Sequence, residues 1–498
     1  MAQVSIPALL PRFSQFLAQQ MGLHFPPERW SDLMRGMVTA AREFRFADVD
    51  ACMQWLLSTP LSQSQIEILA SHLTVGETYF FREPQVFEAL QTHILPALIA
   101  SRRQSGIRLR IWSAACSTGE EAYSIAILLQ QLIPDYKQWN ITILGTDINP
   151  HALRKAVSGI YGEWSFRNTQ PWLREKYFLP LVGGRYQIIS QVQDMVTFAY
   201  LNLAEDAYPS LANNTNAMDI IFCRNVLMYF EPGLAAKVVR QHYQSLLDGG
   251  WLIVSPAEVS ATLLAQLETV NFPGAALHRK NPAHAASTTA AKSPDDLPVI
   301  IDVAKTGTVA KPQVTRQKPD FIAALKAQSI PSPSAYYQQA LTYYQQGHYT
   351  EATELIARLS ANRNDSAQAM NLMVRIHANQ GELATALHWC EWLIAADRVN
   401  PAGYYLMAVI LLEQGQPEEA MLALKRTLYL DPDFVLAHFT LGNLCRSHSR
   451  DKEAGKYFAN TLSLLKVYSL EDVLPESEGM TAGRLIEIIR SITGKRVT

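Results

Sequence analysis

LRIWSAACSTGEEAYSIAILLQQL, residues 109–132, is the stretch that decides the fold. LRIW is a short apolar run suited to a buried strand. It gives way to small residues from Ser113 to Gly119, then to an apolar stretch with helical spacing. A strand, a small-residue turn and a helix form the opening unit of many parallel sheets, because the turn brings backbone amides and a helix N-terminus close to a ligand. The alternation continues outward. ITILGTD (141–147), AMDIIFCRN (217–225) and WLIVSP (251–256) are apolar runs rich in β-branched residues, separated by helical stretches such as LAAKVVRQHYQSLL. This predicts a parallel sheet with helices on both faces. Between the second and third runs, REKYFLPLVGGRYQIISQVQDMVTF carries a Gly183-Gly184 turn flanked by β-formers, which predicts a small antiparallel insertion over about 160–200. Residues 1–73 read as helical, with Leu33, Met37, Val38, Ile66, Leu69 and Leu73 at helical spacing.

The 498 residues exceed what one hydrophobic core usually serves, so further domains are expected. After about Lys280 the periodicity stops. The segment to residue 333, rich in Ala, Thr, Pro and Lys, reads as a flexible linker. Order returns with a repeat: Gly347, Gly381 and Gly415 are 34 residues apart, with Ser449 in the next equivalent place, and Ala352, Ala386, Ala420 and Ala454 keep the same period. A 34-residue helix-turn-helix period is that of tetratricopeptide repeats; the glycine permits the tight turn and the alanine close helix packing. Four repeats are expected over 334–466, and 467–498 is unassigned. The domains are therefore 1–73 (helical), 74–279 (sheet domain), 280–333 (linker), 334–466 (repeats) and the tail.

Composition narrows the function classes. A net charge of −2 gives no general electrostatic reason to bind nucleic acid. Five scattered cysteines without a CxxC pair argue against a zinc site or a disulfide framework, and no metal site is expected. The N-terminus lacks a secretory pattern and no apolar run is long enough to span a bilayer, so a cytoplasmic address without membrane insertion is expected.

The turn at 113–121 is not a dinucleotide GxGxxG: Gly119 alone is glycine, and Glu120 and Glu121 follow at once. Carboxylates at a helix N-terminus repel a pyrophosphate and suit a cation. S-adenosylmethionine, with a sulfonium and an ammonium and no phosphate, fits better than NAD, although glutamates also sit at helix N-termini for dipole reasons. Asp147 ends the strand ITILGTD, where a carboxylate in a nucleotide-binding fold accepts from both ribose hydroxyls. The competing reading makes it the N-cap of the next helix, a role Asn149 can also fill.

SAACSTGEEAYS, then GTDINPHAL, FAYLNL and FCRNVLMYF, with LTVGETYFFREP (73–84) upstream, resemble in order and spacing the CheR family of chemoreceptor glutamate methyltransferases over about residues 1–279. Members with tetratricopeptide extensions occur in alternative, non-flagellar chemosensory pathways. The resemblance implies an α/β Rossmann-like methyltransferase with an N-terminal helical domain and a small β insertion, followed here by an all-α tetratricopeptide solenoid. It implies S-adenosylmethionine as cofactor, S-adenosylhomocysteine as product, and the cytoplasmic domain of a chemoreceptor as substrate, methylated on glutamate side chains. By the same resemblance Thr78 and Arg82 contact the cofactor, Glu120 or Glu121 its methionyl or neighbouring polar end, and Asp147 the ribose. Asn202 and Leu203 flank the adenine, Arg224 and Asn225 lie beside the methionyl portion, and Tyr229 lies near the transferring methyl. Arg82 and Tyr229 are the candidates for holding the acceptor. Tyr229 and Phe230 also read as core aromatics, and Arg224 as the partner of a nearby acid.

The sequence departs from the family in four places. Gly76 replaces an asparagine, Ala122 replaces a proline, and WLIVSPAEVS replaces the usual end of the last strand, although Glu258 remains. The loop at Val182–Tyr186 is short, which puts the gripping of a receptor's C-terminal pentapeptide in doubt. Two other readings stay open: a methyltransferase of another substrate class on the same fold, and a cofactor-binding scaffold whose useful part is the repeat array, which is expected to bind a protein partner.

Overall fold

The structure is a computed structural model and describes residues 9–74, 76–204, 208–260, 262–284, 333–361, 367–448 and 450–493. Ser449 and nearly all of the expected linker lie outside the described residues.

The described residues of the N-terminal region form the α-helices α1 (Leu10–Met21), α2 (Trp30–Glu43), α3 (Val49–Leu56) and α4 (Gln63–Leu73). A capping box between Ser62 and Gln65 starts α4. Leu33, Met37, Leu69 and Leu73 enter the core of this bundle, whereas Val38 faces solvent and Ile66 is only partly covered. The helical segments α5 (Pro84–Ala89) and α6 (Leu95–Ser105), joined end to end by a π-helical turn over Leu90–Ile94, lead into β1 (Arg108–Ala114). Then come α7 (Glu120–Leu132), β2 (Asn140–Asp147), α8 (Pro150–Ser158) and the insertion, which contains β3 (Ile160–Gly162), α9 (Pro171–Tyr177), β4 (Phe178–Leu181) and β5 (Arg185–Ile188). After α10 (Ser190–Gln193) the chain adds β6 (Val196–Tyr200), β7 (Met218–Cys223), α11 (Pro232–Ser245), β8 (Leu246–Ile253), β9 (Glu268–Phe272) and β10 (Ala275–Arg279).

The seven-stranded sheet has the order β6-β2-β1-β7-β8-β10-β9. The pairs from β6 to β8 are parallel, and β10 runs antiparallel to both neighbours. β2 and β7 flank β1 on opposite sides, so the chain reverses its direction of winding there, and a crevice opens beyond the C-terminal ends of these strands. The insertion is a three-stranded antiparallel sheet, β3-β5-β4, whose turn holds Gly183 (φ 82°) and Gly184 (φ 66°) in the left-handed region.

The C-terminal part is a stack of helix pairs: α12 (Pro333–Gln345) with α13 (Tyr349–Ala361), α14 (Ala367–Asn379) with α15 (Leu383–Ala396), α16 (Pro401–Glu413) with α17 (Pro417–Leu430), and α18 (Val435–Ser447) with α19 (Asp451–Leu464). Gly347, Gly381 and Gly415 make the inter-helix turns at φ 78°, 76° and 73°, and the four periodic alanines are buried where the helices of each pair touch. This array packs on the sheet domain at the N-terminal ends of the strands. Glu413 receives Arg108 at 2.9 Å and the Asn216 amide at 2.8 Å, and its carbonyl receives the Asn140 amide at 2.6 Å. The turns carrying Gly347, Gly381 and Gly415 abut Gln244, Leu247 and Asn140. The tail, unassigned from sequence, ends in α20 (Ala482–Thr493). Its Arg484 donates to the Tyr200 carbonyl at 3.3 Å and lies 4.0 Å from that ring's centroid, so α20 covers the edge strand β6. Among the described residues no helix is long and apolar enough to cross a membrane.

Candidate functional site

Past Ala114 the chain turns tightly. Ala115 (φ 61°) and Ser117 (φ 51°) enter the left-handed region before Gly119 (φ 91°) opens α7. Asn225 (φ 59°), after β7, does the same, as do Phe81 (φ 53°) and Glu83 (φ 61°) on either side of Arg82. Such backbone costs L-residues on the order of 1–3 kcal/mol each and collects where surrounding structure holds a site in shape. Ala115, Ser117 and Asn225 line two adjoining cavities of about 90 and 50 Å³ beyond the strand ends.

The first cavity holds Asp147, Asn202, Leu203 and Tyr229, walled by Ile148, Val226 and Phe230 and closed from the N-terminal bundle by Met21 and Leu23. Asp147 is buried; its Oδ2 accepts the Ser117 N–H and its Oδ1 the Asn149 N–H, both at 2.8 Å. Burial pushes its carboxyl up to about 6, against the pull of those N–H groups. Asn149, not Asp147, caps α8: its Oδ1 accepts from the His151 and Ala152 N–H groups. Asn202 is buried and accepts from the Ala204 N–H at 3.0 Å. Tyr229 is half-buried, with the Arg29 guanidinium 5.0 Å from its ring centroid. Burial raises its hydroxyl, and Arg29 and Arg82 oppose that rise.

The second cavity holds Thr78, Arg82, Glu121, Arg224 and Asn225. Arg224 pairs with acids, the alternative its sequence reading left open: Glu121 at 3.0 Å and Glu83 at 3.1 Å, with a further bond to the Arg82 carbonyl at 2.8 Å. Glu121 also accepts the Ser113 hydroxyl at 2.6 Å. Arg82 donates to the Glu77 carbonyl at 2.9 Å. Glu120 lines neither cavity. Its carboxylate is turned into the core, taking the Thr118 hydroxyl at 2.5 Å and the Ser165 hydroxyl at 2.9 Å. Neighbours on a helix point about 100° apart, so only one of two consecutive glutamates faces the crevice.

Glu83 and Glu258 are structural members of the site to which sequence reasoning gave no role. Glu258, in the short 3-10 turn after β8, accepts the Asn225 N–H at 2.7 Å and the Ser255 N–H at 3.1 Å, and so holds the left-handed turn after β7. Burial raises its carboxyl, opposed by those bonds. The signal for Glu83 was its place in FFREP beside Arg82. Two larger clefts, of about 1310 and 1170 Å³, lie between the array and the sheet domain and share no residue with the two cavities of the crevice. Among the described residues no group of His, Cys, Asp and Glu is placed to hold a metal ion.

Residues 76–273 match the CheR methyltransferase, SAM binding domain, and 337–401 and 405–462 match the tetratricopeptide repeat. A probable chemotaxis protein methyltransferase of Rhizobium etli is 37% identical over 206 residues, which are 41% of this chain and 75% of that one. The chemotaxis protein methyltransferase 2 of Vibrio cholerae is 36% identical over 197 residues, 40% of this chain and 67% of that one. The probable biofilm formation methyltransferase WspC of Pseudomonas aeruginosa is 25% identical over 438 residues, 86% of this chain and 92% of that one, and so matches both halves.

Proposed function

The chain belongs to the CheR family of S-adenosylmethionine-dependent methyltransferases, and from that premise we propose that it methylates glutamate side chains of chemoreceptors in a chemosensory pathway. The observation that carries the reading is the crevice at the switch point of the sheet, where a buried carboxylate and apolar walls stand in one cavity and a compensated acid–arginine cluster in the next. That donor set suits the cofactor. Asp147 offers a charged acceptor to two ribose hydroxyls, Ile148, Leu203 and Phe230 suit a purine ring, and Asn202 edges it. Glu121, Arg224 and Asn225 would take the methionyl ammonium and carboxylate, with Thr78 and Arg82 closing over them. Bound there, S-adenosylmethionine supplies an electrophilic methyl on a sulfonium.

A glutamate acceptor is ionised near neutral pH, so no strong base is required of the protein. What its residues supply is alignment and exclusion of water. Arg82 and the Tyr229 hydroxyl would hold the acceptor carboxylate without protonating it. The β4–β5 turn is short and Val182 at its tip is exposed, which supports a reading in which no receptor pentapeptide is gripped there. The test incubates the protein with methyl-labelled cofactor and the cytoplasmic domains of chemoreceptors from the same cell, and maps the label by mass spectrometry. Base-labile methyl esters on glutamates are expected; label on another residue type, or on none of the receptors, overturns the reading.

A further inference from the structure

Between α19 and α20 the chain crosses the face formed by the first helices of the repeats. Val473 and Thr481 bridge antiparallel, and the turn between them presents two carboxylates. Glu476 accepts from Arg375 Nη2 at 2.5 Å and from the Asn371 amide at 3.0 Å. Glu478 takes Arg375 Nη1 at 2.8 Å and the Tyr344 hydroxyl at 2.7 Å, and its other oxygen accepts the Leu211 N–H at 2.8 Å. Arg375 is only 8% exposed, and its Nε is held by Asn371 Oδ1 at 2.8 Å. The array therefore carries a built receptor for a pair of carboxylates two residues apart.

The resident ligand is not relaxed. Glu476 (φ 60°) and Glu478 (φ 56°) both sit in the left-handed region, which an extended peptide would not need. A cleft of about 1170 Å³ runs beside the turn, lined by Tyr337 and Gln368 of the array and by Arg240 of α11. Its charge complements an acidic chain entering alongside. Leu474 and Met480 anchor the turn in the apolar core of the array, which would keep the tail in place if other carboxylates took over Arg375.

We propose that the Tyr344–Asn371–Arg375 site is a docking site for an acidic peptide segment of a partner protein, and that the chain's own Glu476–Glu478 turn is a competitor built into it. This is independent of which residue accepts the methyl group. A tethered competitor acts at an effective concentration in the millimolar range, so an intact turn should weaken binding of a free acidic peptide by at least about tenfold.

The probe is a labelled peptide of residues 471–481, titrated against the full chain by fluorescence anisotropy. The double variant Glu476→Gln, Glu478→Gln should bind it at least about tenfold more tightly than the native chain. Adding Arg375→Met should abolish that binding, as should replacing both peptide glutamates by glutamine. Thermal melts establish that each variant is folded; if Arg375→Met is not, Asn371→Leu in the same background serves instead. Equal affinity for native and double-variant chains, or binding that survives loss of Arg375 or Asn371, overturns the proposal and leaves the turn a fixed clamp.

Discussion

Lowering the pH from about 7 to about 5 should weaken cofactor binding through one residue. Asp147 has its two oxygens pinned by backbone N–H groups and its surface buried, and burial raises its carboxyl to about 6. If it receives the ribose hydroxyls, the ionised form binds. About nine-tenths of the protein is then competent at pH 7 and about one-tenth at pH 5, a roughly tenfold loss of affinity. Stability of the free protein runs the other way. A carboxyl whose folded value is raised contributes most below its unfolded value and loses that contribution as pH rises through about 6. The whole effect is on the order of 3 kcal/mol. Calorimetry with S-adenosylhomocysteine, which does not itself titrate in this range, measures the first trend, and urea unfolding of the ligand-free chain the second. Asp147→Asn should lose about tenfold or more in affinity at pH 7, because charge-assisted bonds become neutral ones, and should show a flat pH profile. A flat native profile, or the same slope in the asparagine variant, would refute the assignment of Asp147 to the ribose.

Tyr229→Phe keeps the ring over which Arg29 lies and deletes a hydroxyl, so turnover on receptor should fall while S-adenosylhomocysteine affinity is unchanged; native turnover would make Tyr229 a wall of the cavity and nothing more. Glu413→Ala strips the charge partner from partly buried Arg108, and a nearby negative charge from buried Arg110, whose guanidinium burial already pushes down to about 10. It should cost about 3 kcal/mol in urea unfolding of the full chain, and a change under about 0.5 would show the pair to be dispensable. Gly381→Asn introduces a residue type that tolerates the left-handed turn, but its Cβ would stand 2.7 Å from Leu247 Cδ2, so that side chain must shift and the melting temperature should fall; a native melting temperature would show that Leu247 yields at no cost.

What could be read from sequence was what local pattern encodes. The turn after LRIW, the acid ending ITILGTD and the 34-residue period are short-range signals, and each led to the element described. Glu120 and Glu121 show where that stops. Their order placed both at a helix start, but only the sheet and the insertion decide that Ser165 takes one and Arg224 the other. The left-handed conformations of Phe81, Glu83, Ala115, Ser117 and Asn225 leave no mark in residue type, because tertiary contacts such as Glu258 on the Asn225 N–H impose them. The packing of the array was equally hidden. A Pro- and Ala-rich stretch between two domains suggests independence, while the residues that join them, Arg108 and Glu413, are 305 positions apart.

The seating of the inter-helix turns against Gln244, Leu247 and Asn140 limits how this solenoid can change in length. A free-standing repeat stack gains or loses a unit at little risk, since each unit touches only its neighbours. Here one excised unit of 34 residues would carry Glu413 away from Arg108, and one inserted unit would set a different turn against Leu247. The count of repeats between Gly347 and Gly415 is thereby gauged to the width of the sheet beneath it, and variation in length is free only beyond the last seated turn.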